Sequence, residues 1–354
     1  MNGLTEYFRT VISGERHGIA AALVRFGLRL VALPYGLGVR VRNVLFDRGF
    51  KTIHKAGVPV ISIGNLSLGG TGKTPCVELV ATILNDLGVR PVILSRGYGS
   101  EGGHNDEAMV LEENLPDVPH LQGRDRVTLA ATAVEELEAE VLILDDGFQH
   151  RRLHRDLDIV LLDATRPLAN EHLFPGGLLR EPVSSLKRAQ FLLLTRCDQA
   201  KDLDSQMNAL KHRFPNTPLG TCQHEPKSWN VLDDDDIPLD AFRSSPSVAF
   251  CGLGNPAAFL TTLRNLGYSP RELRTYPDHH NYTRADVDAL CRFAETLPPD
   301  GVLLTTQKDF VKLRMHNVAG RTLCALRIGL KLTSGEAEFT RLVQSVIATT
   351  GNEE

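Results

Sequence analysis

The chain has 354 residues, a net charge of −4, 42% hydrophobic and 23% charged residues. This composition is that of an ordinary folded protein, which excludes a disordered or low-complexity chain, and the length admits two domains with sizeable cores. Six cysteines (Cys76, Cys197, Cys222, Cys251, Cys291, Cys324) follow no paired spacing, so neither a zinc site nor a disulfide framework is indicated and a reducing cytoplasm is expected.

Charge is unevenly spread from the start. Residues 1–57 hold nine Lys/Arg against three acids, so the remaining 297 residues carry a net charge of −10. A basic head on an acidic body points to an anionic partner for the head. Glu6 precedes the first apolar run and no small-residue cleavage site follows it cleanly, so a secretory signal is not expected. Residues 18–33 read as a strongly apolar helix with Arg25 and Arg29 one turn apart on the same face. Two mid-helix arginines make a spanning helix expensive, whereas a helix lying in the membrane interface keeps them at the headgroups. Packing on the protein's own core is the alternative. Arg40, Arg42 and Arg48 just downstream favour the membrane, and residues 1–35 are read as a membrane-interface helix.

Residues 58–63 then form a β-branched apolar strand, and residues 75–84 a helix with apolar positions three and four apart. Between them runs Ser67-Leu68-Gly69-Gly70-Thr71-Gly72-Lys73-Thr74. Strand, glycine-rich loop, Gly-Lys-Thr and helix is the layout of a P-loop, in which backbone N–H groups and a helix N-terminus cradle phosphates. In that layout Ser67, Gly69, Gly70, Thr71, Gly72, Lys73 and Thr74 bind the nucleotide, with the Thr74 hydroxyl on Mg²⁺. The strict pattern wants glycine at position 67, where serine stands.

Further strands are expected at residues 90–95, 140–144, 158–163 and 190–195, with a helix over 126–138. Continuous apolar strands separated by helices predict an α/β fold: a P-loop NTPase-like, mostly parallel sheet with helices on both faces. Its ligand belongs at the carboxyl ends of the strands, where the Gly-Lys-Thr, Arg96-Gly97-Tyr98 and Asp145-Asp146 sequences fall. The nucleotide-binding domain is placed at 36–222. Residues 223–246, with the acidic run 233–236 and several prolines, are expected to be a linker. A second, smaller α/β domain is placed at 247–354, where Gly252-x-Gly254 suggests a tight strand-to-helix turn.

Asp145-Asp146 after an apolar strand has the form of a Walker B element holding Mg²⁺, with capping or turn residues as the alternative. The stretch 147–153 is dense in side chains able to contact phosphates. Asp278-His279-His280 sets a carboxylate beside two histidines and suits proton handling, since Asp orients an imidazole or raises its basicity. Asn105-Asp106-Glu107 reads, on composition, as a surface turn. Lys308-Asp309 follows a strand and either contacts ligand or caps a helix. Thr195-Arg196-Cys197-Asp198 faintly matches a guanine-reading pattern, with Arg in place of Lys, which leaves a GTP-binding regulatory switch with a protein partner as a second reading. A nucleic-acid motor lacks a basic groove in the body of the chain.

Taken together, residues 64–75, Ser95-Arg96-Gly97-Tyr98-Gly99, residues 145–150, Leu179-Arg180-Glu181-Pro182, Pro277-Asp278-His279-His280 and Lys308-Asp309-x-Val311-Lys312-Leu313 resemble the tetraacyldisaccharide 4′-kinase family. The motifs stand in the family's order, and Ser67 is what that family carries. The resemblance implies phosphorylation of the 4′-hydroxyl of an acylated glucosamine disaccharide, with ATP and Mg²⁺, at the cytoplasmic face of the bacterial inner membrane. A membrane surface and a lipid substrate are then the partners, with no nucleic acid and no required protein partner. It further implies Asp106 as the catalytic aspartate, His279 working with it, Asp278 behind, Thr74, Asp145 and Asp146 at the metal, and Glu181 in the metal shell. Where the family carries Gly-Asp-Glu-Pro, this chain has Asn105-Asp106-Glu107-Ala108. Lys73, Mg²⁺ and the Arg96 or Arg151 region are expected to stabilise transferred charge, and a domain closure is expected to bring Asp106 to His279.

Overall fold

A computed structural model describes residues 10–12, 16–97, 106–166, 168, 172–232 and 234–348. The chain divides into two compact units: one of residues 1–96, 117–223 and 330–354, the other of residues 97–116 and 224–329. In chain order the elements are α1 (Ile19–Asp47), β1 (Val60–Asn65), α2 (Lys73–Asp86), β2 (Pro91–Ser95), α3 (Asp106–Asn114), β3 (His120–Gln122), α4 (Arg126–Leu137), β4 (Val141–Asp145), β5 (Leu157–Asp163) and β6 (Phe191–Thr195). Then follow α5 (Leu203–Arg213), β7 (Leu219–Val231), β8 (Asp234–Ile237), β9 (Ser247–Cys251), α6 (Pro256–Asn265), β10 (Leu273–Thr275), α7 (Arg284–Ala294), β11 (Val302–Thr306) and α8 (Gln307–Leu313). The strands β12 (Asn317–Val318) and β13 (Arg321–Ser334) and the helix α9 (Glu336–Ala348) complete it.

In the first unit β6-β5-β1-β4-β2-β3 are neighbours in that order, all parallel, with the start of β7 beside β6. Every residue of β1, β2, β4 and β6 is buried, as continuous apolar strands covered on both faces require. The strand placements read from the sequence hold to within a residue or two. Gly64 is dictated by packing: a Cβ there would stand 2.6 Å from Cβ of Phe148. Phe148 in turn lies in the core with Leu66, Val160 and Leu192.

Four boundaries differ from the sequence expectation. The first helix does not end near residue 35 but runs to Asp47 with Pro34 inside it. Its buried stripe Ala32, Gly36, Val39, Asn43 and Phe46 keeps three- and four-residue spacing, and tertiary packing outweighs the lost proline N–H. The expected linker is instead occupied by β7, whose Trp229 is fully buried and donates to the Tyr268 hydroxyl at 2.9 Å. The acidic run continues as β8, antiparallel to β7. Finally, α9 belongs to the first unit, where Phe339 is buried and meets Phe191 edge-on at 5.3 Å between centroids.

The second unit orders β10-β9-β11-β13 in parallel, with β12 antiparallel to β13. Residues 97–116, expected in the nucleotide-binding domain, belong to this unit, because α3 packs along α8. Gln307 Nε2 donates to Asn114 Oδ1 at 2.8 Å and Lys308 pairs with Glu107 at 3.2 Å.

Phe339→Ala is expected to lower stability by about 3–5 kcal/mol. If α9 belongs to the nucleotide-binding unit, saturating ATP should raise the unfolding midpoint of the same transition in urea titrations; a lone transition insensitive to nucleotide would contradict the placement.

Candidate active site

The glycine-rich loop is braced from three sides. Asn65, buried at the end of β1, donates from Nδ2 to Thr71 Oγ1 at 3.1 Å and to Gly69 O at 3.3 Å. Ser67 forms an antiparallel bridge with Leu179, and Leu68 N donates to Leu178 O at 2.8 Å. Arg196 Nη2 donates to Gly70 O at 2.8 Å while its Nη1 pairs with Asp163 at 2.7 Å. Gly69 and Gly72 sit at φ +113° and +83°, so both positions need glycine. Gly72 is the N-cap of α2 and no side chain caps that end, which leaves the first helical N–H groups for a bound anion.

Asp145 ends β4 and Asp146 follows it with φ +52°. Lys73 Nζ stands 3.5 Å from Asp146 Oδ1, and Arg180 Nη1 donates to Asp146 Oδ2 at 2.7 Å. Burial pushes the Asp146 carboxyl upward, but Lys73, Arg180 and Arg126 outweigh it and hold the group below the ordinary aspartate range. Its Oδ1 is buried with no hydrogen-bond partner. A bare carboxylate oxygen beside Lys73, next to Thr74 and Asp145, fits a phosphate-bound Mg²⁺. His150 close by is driven down to about 4 by burial and by Arg126, Arg152 and Arg155, so it is neutral at pH 7.

The second unit carries another constellation. Asp106 opens α3 and is 6% exposed. His279 Nδ1 lies 3.0 Å from Asp106 Oδ2, and Lys312 Nζ lies 2.6 Å from the same oxygen. Burial raises the Asp106 carboxyl, and the hydrogen bonds and charges of His279 and Lys312 overcome this to hold it below the usual range. The partner shift agrees: the hydrogen bond to Asp106 lifts His279 above its ordinary value, against burial and Lys308. His279 adopts φ +57°, and its side chain is 60% exposed, so its far ring edge is open to solvent.

The loop bearing His279 is clamped by aromatic rings and one buried acid. His280 stacks on Tyr276 at 4.9 Å and its Nε2 reaches Asp286 Oδ2 at 3.1 Å. Asp286 also closes the capping box of α7 with Thr283. Asp309, with no exposure, accepts from Gly252 N, from the Tyr282 hydroxyl at 2.9 Å and from Thr306 Oγ1 at 2.6 Å. A Cβ at Gly252 would meet Asp309 Oδ1 at 2.9 Å, which explains the glycine that the sequence reads as a turn.

These two constellations match a known family. The model of the tetraacyldisaccharide-1-P 4′-kinase family, LpxK, matches residues 24–348. The chain belongs to this family. It is 38% identical to the tetraacyldisaccharide 4′-kinase of Anaeromyxobacter sp. (strain Fw109-5), covering 95% of each chain. With the enzyme of the same name from Geobacter sulfurreducens it shares 37% identity over 88% of this chain and 91% of that one. Among solved structures, the "apo" form of LpxK from Aquifex aeolicus in complex with ATP superposes with a TM-score of 0.75 at 32% identity, covering 92% of this chain and 99% of that one.

Within the 4′-kinase frame, several sequence expectations change. Asp106 and His279 need no domain closure to meet, because both belong to one unit. Asp278, expected behind His279, is exposed and acts on it only by its charge. Glu181 is not placed as a metal ligand. It is wholly buried, with Oε1 taken by Arg42 at 2.7 Å and Oε2 by Asn43 at 2.9 Å and Arg188 at 3.1 Å. Among the described residues no group of three or more His, Cys, Asp or Glu side chains is disposed to hold a metal. Arg151, expected at the transferred charge, instead holds α1 through Asn43 O at 3.0 Å and Asp47 at 2.7 Å. Arg25 Nη1 donates to Arg16 O at 2.7 Å. No role is expected from the sequence for Asn65, Arg180 or Lys312, although all three stand inside the motifs that carry the family resemblance, and Arg196 is weighed there only within the guanine-reading pattern.

Glu181→Gln is expected to leave Arg42 and Arg188 undercompensated and to cost about 3–5 kcal/mol in denaturant unfolding. The Mg²⁺ concentration for half-maximal activity should stay within about twofold. A tenfold rise would restore Glu181 to the metal shell.

Proposed function

We propose that the protein transfers the γ-phosphoryl group of ATP to the 4′-hydroxyl of tetraacyldisaccharide 1-phosphate, giving lipid IVA in lipid A biosynthesis. The observation that carries this is family membership over residues 24–348 with Gly72-Lys73-Thr74 in register. The protein is a phosphotransferase acting on an alcohol group. The guanine-reading alternative loses its basis, because Arg196 is spent on Asp163 and Gly70 O.

The roles of individual residues are our own reading. Backbone N–H groups of residues 69–74 and Lys73 hold the donor phosphates, and Thr74, Asp145 and Asp146 hold the metal. Mg²⁺ held by these residues would supply neutralisation of the charge that develops on the transferred phosphoryl group. Arg180 keeps Asp146 ionised and aimed toward Lys73. Asp106, aided by His279, accepts the proton of the acceptor hydroxyl. With a loose transition state, positioning and charge stabilisation supply most of the catalysis.

Lipid substrate and membrane reading rest on α1. Its 29 residues have a mean hydropathy of 1.4 over the most apolar window, and 17% of that window is buried. Ile19, Leu23, Phe26, Leu30, Leu33 and Leu37 are all more than half exposed. Water-facing apolar residues in such number mark an interaction surface, and a bilayer suits a helix that also carries exposed Arg29 and Arg40. A cavity of about 470 Å³ lies beside it, walled by Ala32, Leu33, Leu173 and Leu179 with Arg29, Arg40 and Arg213 around it. Apolar walls with cationic groups suit an acylated, phosphate-bearing molecule. We place the protein on the cytoplasmic face of the bacterial inner membrane, where ATP is available, with no protein partner required.

Incubation with ATP and tetraacyldisaccharide 1-phosphate should yield a product heavier by one phosphoryl group; absence of that product would sink the reading. Asp106→Asn is expected to cut kcat by about 10²–10⁴ while ATP KM stays within about threefold. The triple variant L23E/F26E/L30E should abolish flotation with vesicles without moving the melting temperature.

A further inference from the structure

Lys312 carries no role in the reading above, yet it is the most enclosed cation at the proton-handling group. Its side chain is 7% exposed, and a lysine is almost never so buried unless paired. Two acceptors fix its ammonium: Asp106 Oδ2 at 2.6 Å and the His280 carbonyl at 3.0 Å. Both acceptors are themselves held by the fold. Asp106 sits in the first turn of α3, and His280 is stacked on Tyr276 and bonded to Asp286. The base of Lys312 is fixed too, since α8 starts at a Thr306 cap and is anchored by buried Asp309.

The contacts on Asp106 are one-sided. Among the described residues His279 and Lys312 both address Oδ2, and neither engages Oδ1. The neighbouring Lys308–Glu107 pair is different, being more than one-third exposed on each side, and is an ordinary surface pair. A clasp that only joined α3 to α8 would be served by that surface pair and by Gln307–Asn114. A buried ammonium on a proton-accepting carboxylate does more: it opposes protonation of that carboxylate.

We propose that Lys312 is a positioning residue for phosphoryl transfer, holding Asp106 ionised and turned so that Oδ1 faces the acceptor hydroxyl. It does so from the same ammonium that ties down the backbone of the histidine loop, so the base and its histidine partner share one support. The proposal rests on Asp106 being the base. Asp106 titrates in the field of His279 and Lys312, with Lys308, Glu107 and Asp278 as the further charges facing this pair.

The sign follows. Lys312 favours the carboxylate, so removing its charge raises the Asp106 pKa, and the acid limb of the pH–rate profile moves to higher pH. The test compares wild type, Lys312→Met, Lys312→Gln and Lys312→Arg in the full chain. For Met and Gln the acid limb of kcat/KM for the lipid acceptor should rise by about one pH unit. Their deficit is then about tenfold below the limb and shrinks as pH increases, with ATP KM within about threefold. Arg, which keeps the charge, should restore the wild-type limb. Carbon NMR titration of the Asp106 carboxyl without substrate should show the same upward shift, independent of turnover. An unmoved limb and unmoved Asp106 titration in the folded Gln variant would overturn the proposal. So would a pH-independent loss in every variant, Arg included, with a lowered melting temperature. If Asp106→Asn keeps wild-type kcat, the base assignment falls; if Asp106→Asn is impaired and the Gln titration is unmoved, only the role of Lys312 falls.

Discussion

Glu181 carries a carboxylate with no solvent exposure, and such a group is stable only if its charge is met on the spot. Arg42 and Asn43 from α1 and Arg188 from its own segment meet it, and together they hold its pKa below the glutamate range against burial. This one requirement fastens the apolar helix to the nucleotide-binding unit. The neighbouring Arg180 carries the constraint onward: its carbonyl accepts from the Tyr35 hydroxyl at 2.9 Å, while its guanidinium grips Asp146. Its N–H donates to Leu66 O just before the phosphate loop. A change in how α1 is seated therefore bears on the backbone and carboxylate around Lys73.

The same device recurs at Asp146 and Asp106, the carboxylates proposed to serve metal and proton transfer, with different consequences. Asp146 lies between Lys73 and Arg180, and one of its oxygens remains without a hydrogen bond. That suits a group kept ionised to share a metal. Asp106 lies between Lys312 and His279, which among the described residues both address a single oxygen. That suits a group that takes up a proton at the other oxygen. Asp309 and Glu181, by contrast, have both oxygens engaged and are structural.

The P-loop was legible because its chemistry is local. Gly69 and Gly72 at positive φ, Lys73 and Thr74 at a helix start, and Asp145 at a strand end all follow from residues adjacent in sequence. Pairing Asp106 with His279 came only through family resemblance, since 173 positions separate them along the chain. Composition alone made Asp106 a surface turn. Trp229 misled in the same way: proline and aspartate neighbours suggested a linker, but its indole found Tyr268 and completed a core with Phe259 and Leu304.

What the sequence determined by itself was the parallel α/β architecture, the phosphate-binding loop and an apolar, arginine-bearing head. Each depends on periodicity or on neighbours within one turn or one loop. Tertiary structure alone decided which unit owns Asp106, that Glu181 is met by Arg42 and Arg188, and that Lys312 meets Asp106. Those outcomes turn on burying charges beside partners brought from distant segments, and a charge in a sequence does not say which buried partner it will find.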